Sequence, residues 1–556
     1  LKGLPRHLGL HCGGLVITPC PLTDVTPLCP SGKGVMMSQY EKDQAESIGL
    51  IKMDVLGNSA LSVIDESLCW IRRNRRSSIS LEECTPRRDF KITRAFANGD
   101  TLGIYQCESP GMRQLCRAVR PKTLKEVAAT LSLIRPGPAA AGMKEQFIRR
   151  RRNQEQVEYL HPRMADFLHD TYGVMLYQED VMKAAITLAA YSPGQADSLR
   201  RSLSKKSDAA PVEDVRAEFI TKKAQQAGIS PETAEAIWEQ VSRFASYAYC
   251  KAHATVYGRL AWITAYLKTH YTEEFTAATL NCHKSMYPPR VFVWEAIRRG
   301  IPILPPDVCC SDMGWRPTGY GVRGGLTLIR GIRQTVCRRI IAERQQRRFA
   351  DFKDFRKRVP SCRSDELMHF VLAGACRSFG SRCTLLGEIE RDGQQPRQRA
   401  LLAADGSVRF RLPPLHYGEL YFTGIPFTAH PAEAVTDVTC RAADMHRYVH
   451  HTVTMGGIMD AFKRTRTEQN DGRGGRVMSF VTLEDSSGTF ELLLFPDVHA
   501  NYSHFFTHTG PYRVTGRISL QWDSLSLEAE DVQPVAVDPP STETSAASAS
   551  LNANSP

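Results

Sequence analysis

The sequence lacks any hydrophobic run of membrane-spanning length, and nothing at its N-terminus is similar to a secretory signal. Its 16 cysteines include no CxxC pair, so no spacing supports a zinc site. These absences predict a cytoplasmic protein with scattered, reduced thiols and no membrane partner.

Acidic residues are also in deficit, since 59 Asp and Glu face 71 Lys and Arg and leave a net charge of +12. Such an excess favours a polyanionic partner. A length of 556 residues predicts roughly three to five domains. Because the chain begins with Leu1 and not with methionine, we expect a fragment.

A short apolar segment, residues 49–57, is bounded by glycines and contains the β-branched Ile51 and Val55. This pattern predicts a buried strand. Lys52 and Asp54 are two residues apart, so both side chains leave the same face of that strand. Two interpretations stay open: a structural ion pair at a strand end, or a carboxylate that holds a divalent metal beside a lysine that contacts phosphate.

This segment resembles the third catalytic-aspartate motif of the bacterial C-family DNA polymerases, the DNA polymerase III alpha subunits and their error-prone relatives. The similarity continues in residues 11–14 (HxGG), 101–112 (GxxQxES-x-GM) and 134–138 (RPGP). Residues 3–8, GLPRHL, look more like the error-prone branch. The resemblance implies that Asp54 is catalytic and binds Mg²⁺, and that Lys52 contacts nucleotide phosphates.

A helix predicted to begin at Ser192-Pro193 carries Arg200, Arg201, Lys205 and a further lysine. Arg201 and Lys205 lie one turn apart and face the same way. A solvated basic surface is the ordinary fate of such a run. Residues 196–206 closely match the fingers motif of the family, however, which implies that Arg200, Arg201 and Lys205 bind the triphosphate of the incoming nucleotide.

Residues 244–254 resemble the family pattern FxGYxFNKSHS, with Lys251 and His253 retained and both glycines replaced. The resemblance implies that Lys251 and His253 also bind the nucleotide. Aromatic residues beside a lysine and a histidine suit stacking and phosphate contact. They equally suit a helix junction with a packed aromatic pair.

Residues 326–333, followed by a basic helix, look like a helix-hairpin-helix that presents backbone N–H groups to DNA phosphates. We expect Arg330 and Gly331 to bind DNA, with the charge of Arg333 replacing the second glycine of the motif. An ordinary helical hairpin is the alternative. Further on, Gln398, Leu401 and Leu402 form a candidate peptide for binding the sliding clamp.

Five β-like runs in residues 451–535 suit an OB-type barrel. Lys463, Arg464 and Arg466 flank its first hairpin, near Phe480, Phe490 and Phe495. Basic loops with aromatic residues are typical of barrels that bind single-stranded DNA. The phenylalanines are as well suited to the core.

These patterns predict an α+β multidomain protein with a partial palm sheet, large helical fingers, a helix-hairpin-helix and a C-terminal OB-type barrel. The predicted regions are the C-terminal part of the palm (1–60), the fingers (61–290), the helix-hairpin-helix region (291–385), a linker (386–450), the OB fold (451–535) and a disordered tail (536–556).

The function implied is that of an error-prone C-family DNA polymerase in DNA repair, acting on primer–template DNA and dNTPs by a two-metal mechanism. Asp54 and the two arginines should converge on one pocket. Two further palm aspartates expected upstream are absent, so we expect these 556 residues alone not to polymerise. A replicative alpha subunit and a non-catalytic DNA-binding module are the alternatives.

Overall fold

A computed structural model describes residues 9–55, 57–134, 142–204, 215–245, 249–393, 415–467 and 475–535. Lys205 and the candidate clamp peptide, Gln398, Leu401 and Leu402, lie outside these residues, as does the tail predicted to be disordered. The chain divides into two units, residues 1–62 and 63–556. Each unit is described below by itself.

The first unit contains two small antiparallel sheets. Its elements are β1 (Gly14–Ile17), β2 (Leu28–Pro30), β3 (Met36–Ser38), α1 (Lys42–Ser47) and β4 (Ile51–Asp54). One sheet pairs β1 with β4 and the other pairs β2 with β3. Helix α1 begins with a capping box in which Glu41 and Gln44 each accept the backbone N–H of the other.

The predicted strand forms at β4, but the prediction that it is buried is wrong. In the β1–β4 ladder Leu15 lies opposite Met53 and Ile17 opposite Ile51, so these four side chains share one face. They are 47–67% exposed. Within this two-stranded sheet β4 pairs with β1 edge to edge, and such pairing does not cover a face of the sheet. The apolar face of β4 is therefore exposed.

The second unit is mostly helical up to residue 423, and its helices enclose several separate apolar cores. The described helices are α2 (Ser59–Arg75), α3 (Phe90–Ala97), α4 (Pro110–Val119), α5 (Leu124–Leu133), α6 (Met143–Arg151), α7 (Ala165–Leu168), α8 (Gln178–Ala189), α9 (Pro193–Ser204), α10 (Pro231–Ala245), α11 (Lys251–His270), α12 (Thr272–Asn281), α13 (Pro289–Arg298), α14 (Gln334–Gln346), α15 (Phe352–Arg358), α16 (Ser364–Leu372), α17 (Arg382–Gly393) and α18 (Leu415–Thr423). Three two-residue strands form a small sheet between α13 and α14: β5 (Ile303–Leu304), β6 (Arg316–Pro317) and β7 (Val322–Arg323).

Local sequence signals place several of these helices correctly. Helix α9 begins at Pro193, and the hydroxyl of Ser192 accepts the backbone N–H of Gln195 at 3.3 Å. Ser230 caps α10 in the same way. Both starts confirm the predicted pairing of a capping serine with a first-turn proline, because the serine oxygen satisfies an N–H that has no carbonyl partner in the helix.

Helix α11 is the long central element of the helical region. One side packs on α5, where a Cβ on Gly258 would lie 2.9 Å from the Cβ of Ala128. This approach requires glycine, and small buried residues such as Ala254, Ala261 and Ala265 continue the same close packing. The helix therefore holds its first residue, Lys251, and its last, His270, in fixed positions about 28 Å apart at 1.5 Å per residue.

Residues 452–534 form a closed five-stranded barrel. Its strands are β8 (Thr452–Arg466), β9 (Val477–Glu484), β10 (Thr489–Leu494), β11 (Tyr512–Gln521) and β12 (Ser524–Pro534), in the order β10-β12-β11-β8-β9. The short helix α19 (Pro496–Tyr502) follows β10. Each of the five predicted runs lies in one of these strands. Phe490 is part of the barrel core, whereas Phe495 is 43% exposed.

Two buried ion pairs join the barrel to α13. Arg290 lies 2.7 Å from the carboxylate of Asp460 on β8, and Arg298 lies 3.0 Å from that of Glu484 on β9. Burial, together with the charge of Glu484, raises the pKa of Asp460 well above its usual value, against the attraction of both arginines. Such charges are stable in the interior only while they are paired, so these contacts fix how the barrel sits on the helices.

None of the helices in the described part of the chain has the length and apolar character that crossing a membrane requires.

Candidate functional site

The candidate catalytic carboxylate lies at the end of β4. Lys52 donates a hydrogen bond to Asp54 Oδ1 at 2.5 Å, so the predicted shared face is present. This hydrogen bond holds the pKa of Asp54 below its usual value, and the nearby charges of Lys52, His11 and Lys42 act in the same direction. The Asp54 side chain is 48% exposed. A structural ion pair is thus formed, and the carboxylate remains accessible to a ligand.

His11 joins this pair, a position that the sequence did not assign to the site. Its Nδ1 accepts the N–H of Gly13 at 3.1 Å and lies 3.9 Å from Asp54 Oδ1. Gly14 faces Asp54 across the ladder, and a Cβ there would lie 2.8 Å from His11 Nδ1. Gly14 of the HxGG segment therefore leaves room for the imidazole beside the carboxylate, and Gly13 donates its N–H to the ring, which is the signal that could have identified His11.

Replacing Lys52 by methionine should raise the pKa of Asp54 towards the ordinary value of about 3.9, because methionine keeps much of the length of the side chain but removes the hydrogen-bond donor and its charge. The side-chain carboxyl ¹³C shift of Asp54, followed by NMR during an acid titration, measures this pKa directly. Asp24, in the same unit, serves as the internal control. An unchanged pKa of Asp54 in K52M would show that Lys52 does not hold the carboxylate in its charged form.

On α9 the two arginines of the predicted clamp share one carboxylate. Arg200 donates to Asp197 Oδ1 through Nε at 2.9 Å and Nη2 at 2.8 Å, and Arg201 contacts Asp197 Oδ2 at 2.8 Å. The hydrogen bond from Arg200 lowers the pKa of Asp197. The Arg201 side chain is 70% exposed. Two cations for one anion leave a net positive charge that is held in a defined geometry.

Lys251 and His253 lie in the first turn of α11. The carboxylate of Glu179 caps α11 by accepting the backbone N–H of Lys251 at 2.9 Å. The Lys251 ammonium lies 5.3 Å from the ring centre of Tyr177, at cation–π distance. The fixed start of the helix thus holds the lysine side chain over an aromatic ring.

The exposed imidazole of His253 belongs to a row of aromatic rings along α11. The ring centres of His253 and Tyr249 are 5.3 Å apart, and those of His253 and Tyr257 are 3.9 Å apart. Tyr257 in turn contacts Tyr105, from the GxxQxES segment, at 5.2 Å. Tyr249 is buried and packs against His253, whereas Tyr247, the neighbouring tyrosine of the predicted pair, lies outside the described residues, so the packed pair stays a prediction.

The start of α8 brings these separate motifs together. Arg200 Nη1 contacts Gln178 Oε1 at 3.3 Å, and the backbone N–H of Gln178 donates to the carbonyl of Tyr249 at 2.8 Å. Glu179, next in the chain, caps the helix of Lys251. The structure therefore connects Arg200, Lys251 and His253 through residues 177–179. No sequence pattern had assigned residues 177–179 to the site.

The predicted hairpin lies between residues 326–328 and α14. Gly331 has φ +80°, and a Cβ there would lie 2.6 Å from His369 Nδ1, so glycine is required. Arg330 donates to the carbonyl of Tyr421 at 3.2 Å. Arg333 forms two hydrogen bonds with Glu366, at 3.0 and 2.7 Å. Both cations thus have partners within the protein, and their binding to DNA stays a prediction.

Glu366 shows how firmly Arg333 is held. Burial alone would raise the pKa of Glu366, but hydrogen bonds from Arg333 and from the backbone N–H of Arg363 outweigh it and bring the pKa to about 2. A DNA phosphate would therefore compete with a strong partner for Arg333.

The candidate cations of the barrel are more accessible. Lys463, Arg464 and Arg466 lie at the end of β8 and are all exposed. The guanidinium of Arg464 lies 5.4 Å from the ring centre of Phe462. Arg466 donates to the carbonyl of Gly475 at 3.4 Å, a weak contact. This strand end can present positive charge to a ligand.

Three family models match the chain. They are the bacterial DNA polymerase III alpha NTPase domain at residues 1–57, the bacterial DNA polymerase III alpha subunit finger domain at 60–227, and a helix-hairpin-helix motif at 300–385. The DNA polymerase III subunit alpha of Staphylococcus aureus (strain N315) is 32% identical over 564 residues, which are 96% of this chain and 51% of the relative. The chain belongs to the bacterial DNA polymerase III alpha subunit family.

The DNA polymerase III subunit alpha of Halalkalibacterium halodurans is also 32% identical, over 559 residues that are 96% of this chain and 49% of the relative. The chain thus spans about half the length of the curated relatives it matches. The family resemblance and the helix-hairpin-helix seen in the sequence are confirmed. The group of residues around 177–179 combines segments inside the finger-domain match with Lys251 and His253, which follow it.

Two predictions about the site remain predictions. Asp54 lies in the first unit and Arg200 in the second, and each unit is described by itself, so their convergence on one pocket is untested. The structure describes no group of three or more His, Cys, Asp or Glu side chains that could hold a metal ion. Asp54 by itself offers one accessible carboxylate.

Proposed function

We propose that this chain is part of a DNA-directed DNA polymerase and supplies the side of its active site that holds the nucleotide phosphates. The observation that carries the proposal is a chain of contacts through the start of α8. Arg200 contacts Gln178, Glu179 accepts the backbone N–H of Lys251, and His253 packs on Tyr249, whose carbonyl accepts the N–H of Gln178. Arg200 comes from one sequence motif and Lys251 and His253 come from another, and two of the three side chains are cationic. A purely structural junction does not need an exposed imidazole beside two partly exposed cations.

In this proposal Arg200 and Arg201 bind the triphosphate, since a guanidinium offers paired donors that match phosphate oxygens. Asp197 keeps both side chains aligned before the nucleotide arrives. Lys205 and Lys251 add positive charge, and His253 steadies the negative charge that develops as pyrophosphate leaves. Such preorganised donors lower the barrier because they need no rearrangement during the reaction.

Asp54 is proposed as one of the carboxylates that hold Mg²⁺, with Lys52 as a phosphate contact. Its accessible oxygen and lowered pKa suit a metal ligand, because a hard divalent cation needs an ionised carboxylate. Bound metal ions would activate the primer 3′ oxygen and neutralise the triphosphate. One carboxylate is not enough to hold two such ions, so further ligands are required.

The remaining parts are proposed to handle DNA. The first unit would belong to the palm, the helices up to about residue 290 to the fingers, and the closed barrel to the OB type. Lys463, Arg464 and Arg466 would contact single-stranded template, while Arg330, Gly331 and Arg333 would meet duplex phosphates. Gln398, Leu401 and Leu402 would bind the sliding clamp, within the linker proposed for residues 386–450.

An error-prone role in damage-tolerant synthesis rests on the GLPRHL segment at residues 3–8. The second candidate is a replicative alpha subunit, favoured by the name shared by the relatives. Copying of a template that contains an abasic site separates the two. Efficient bypass by the natural protein supports the error-prone role, and arrest at the lesion supports the replicative one.

We expect the 556-residue chain alone to bind primer–template DNA without extending it, because the described residues provide a single candidate carboxylate at the proposed metal site. A primer-extension assay with Mg²⁺ and all dNTPs tests this, with electrophoretic mobility shifts as the measure of binding. The natural protein that contains these residues is the positive control. Synthesis by the isolated chain that is abolished in D54N would refute the expectation.

A further inference from the structure

The second unit carries an exposed phenylalanine within a dense group of cations, far from the proposed nucleotide site. Phe90, the first residue of α3, is 77% exposed, more than any other large apolar side chain in the described residues. Residues 72–94 contain eight Arg and Lys against three Asp and Glu. We call Phe90 with Arg72, Arg73, Arg76, Arg87, Arg88, Lys91 and Arg94 the Phe90 patch.

The two basic segments of the patch meet at the C-terminal end of α11. At the end of α2, Arg75 contacts Glu274 at 2.7 Å and lies 5.2 Å from the ring centre of Tyr271. Before α3, Asp89 contacts His270 Nε2 at 2.8 Å. Since His270 and Tyr271 are neighbours in the chain, these contacts hold both segments around the same helix end.

The acids of this region are engaged elsewhere and do not neutralise the patch. Glu274 binds Arg75 and Asp89 binds His270. Glu83 accepts the backbone N–H of Ser80 at 2.7 Å, and Glu82 lies 3.5 Å from Arg259. Within the part of the chain that the structure describes, no ion pair joins a cation of the Phe90 patch to an acid. All seven cations are exposed, so the two segments that meet here present positive charge together with one exposed apolar ring.

We propose that the Phe90 patch binds single-stranded DNA by stacking a base on Phe90 and pairing the flanking cations with phosphates. An aromatic ring combined with a basic surface is the combination that binds single strands, because every unpaired base offers a flat face for stacking. A duplex keeps its bases stacked on one another, so it would use the cations but not Phe90. The inference rests on the proposed function for the identity of the polyanion.

The patch is a separate contact and not an extension of the nucleotide site. Lys251 begins α11 and His270 ends it, which puts the two sites about 28 Å apart along a rigid helix. A strand that reaches the patch is therefore held several nucleotides away from the reacting end. Such a contact would raise affinity for DNA without taking part in nucleotide transfer.

The test measures, by fluorescence anisotropy, how the full chain binds a labelled oligo-dT of about 20 nucleotides. A duplex of equal length and a polyglutamate peptide are measured separately for comparison. F90A should weaken oligo-dT binding about 5-fold or more and leave duplex binding unchanged. Y448A is the matched control, since Tyr448 is an exposed aromatic residue just before the barrel and outside the patch. Because Phe90 is exposed, its removal should not disturb the fold.

The charge of the patch is tested by replacing Arg87, Arg88 and Lys91 with glutamine. The slope of log affinity for oligo-dT against log salt should become less steep by up to about 2, at roughly 0.7 for each phosphate that is no longer neutralised. A control that removes three exposed cations elsewhere, at Lys122, Lys125 and Arg163, should keep the slope of the unaltered chain.

Unchanged oligo-dT affinity in both patch variants overturns the inference. So does binding of polyglutamate that the patch variants abolish while oligo-dT binding stays intact, which would identify a protein-docking surface. The binding assay needs no nucleotide incorporation, so the two proposals can fail separately. An F90A defect in a protein without polymerase activity would refute only the proposed function, and normal activity with no F90A defect would refute only this inference.

Discussion

Replacing Arg200 and Arg201 together by alanine is expected to lower nucleotide incorporation by the natural protein about 100-fold or more, since removal of even one preorganised donor to a developing charge has effects of that size. Both guanidinium groups lie on one carboxylate, Asp197, and one also contacts Gln178. They are thus aligned before any ligand binds. Single-nucleotide incorporation under pre-steady-state conditions measures the effect on the chemical step.

Stability and DNA binding should change little in this variant. The Asp197 pairs are partly exposed, so removing them should cost less than about 1 kcal/mol of unfolding free energy. R163A, which removes one exposed arginine outside the site, is the control. A non-catalytic DNA-binding module predicts the contrary result, in which the double variant incorporates nucleotides as fast as the R163A control.

Removing Arg298 is expected to produce the largest decrease in stability. Glu484 has no exposed side-chain surface, and Arg298 lies 3.0 Å from it. R298M keeps much of the apolar stem but leaves the buried carboxylate with His430, whose Nε2 is 3.7 Å away, and with the charge of Arg290, which already pairs with Asp460. An uncompensated buried charge costs about 3 kcal/mol or more, which urea unfolding of the 556-residue chain would measure.

Two controls separate this effect from a general removal of charge. R447M breaks an exposed pair with Asp444, in which Arg447 is 68% exposed, and should cost less than about 1 kcal/mol. The double variant R298M/E484Q removes both charges and should recover most of the stability, because an uncharged pair of similar volume needs no counter-ion. Equal costs for R298M and R447M would contradict the buried-pair argument.

Local patterns predicted the elements well because their causes are local. Serine followed by proline marked the starts of α9 and α10, since both the capping oxygen and the fixed proline φ act within one turn. In α8 the apolar residues Val181, Ala185 and Leu188 recur at helical spacing and are buried. The five strands of the barrel lie where alternating runs indicated them, although closure itself is a tertiary property.

Other predictions failed or stopped short where distant partners decide. The apolar residues of β4 predicted a buried strand, but they are exposed. Burial depends on the elements that pack against a sheet, and the sequence of the strand does not specify those elements. His11 was missed because its role depends on Gly14 facing Asp54 across the β1–β4 ladder. Arg333 was expected to bind DNA through its charge, in place of the second glycine of the hairpin motif. Within the protein its side chain is bound by Glu366, 33 residues further along the chain.

The sequence by itself determined which residues bear charge and where several helices and the barrel strands lie, because turn chemistry and side-chain spacing act over a few residues. Only the tertiary structure decided which cations are balanced and which remain open to a ligand. Arg290, Arg298 and Arg333 are held by buried acids, whereas the cations beside Phe90 are exposed. The physical reason is that Coulomb attraction and burial depend on distance in space, and the partners lie far apart along the chain.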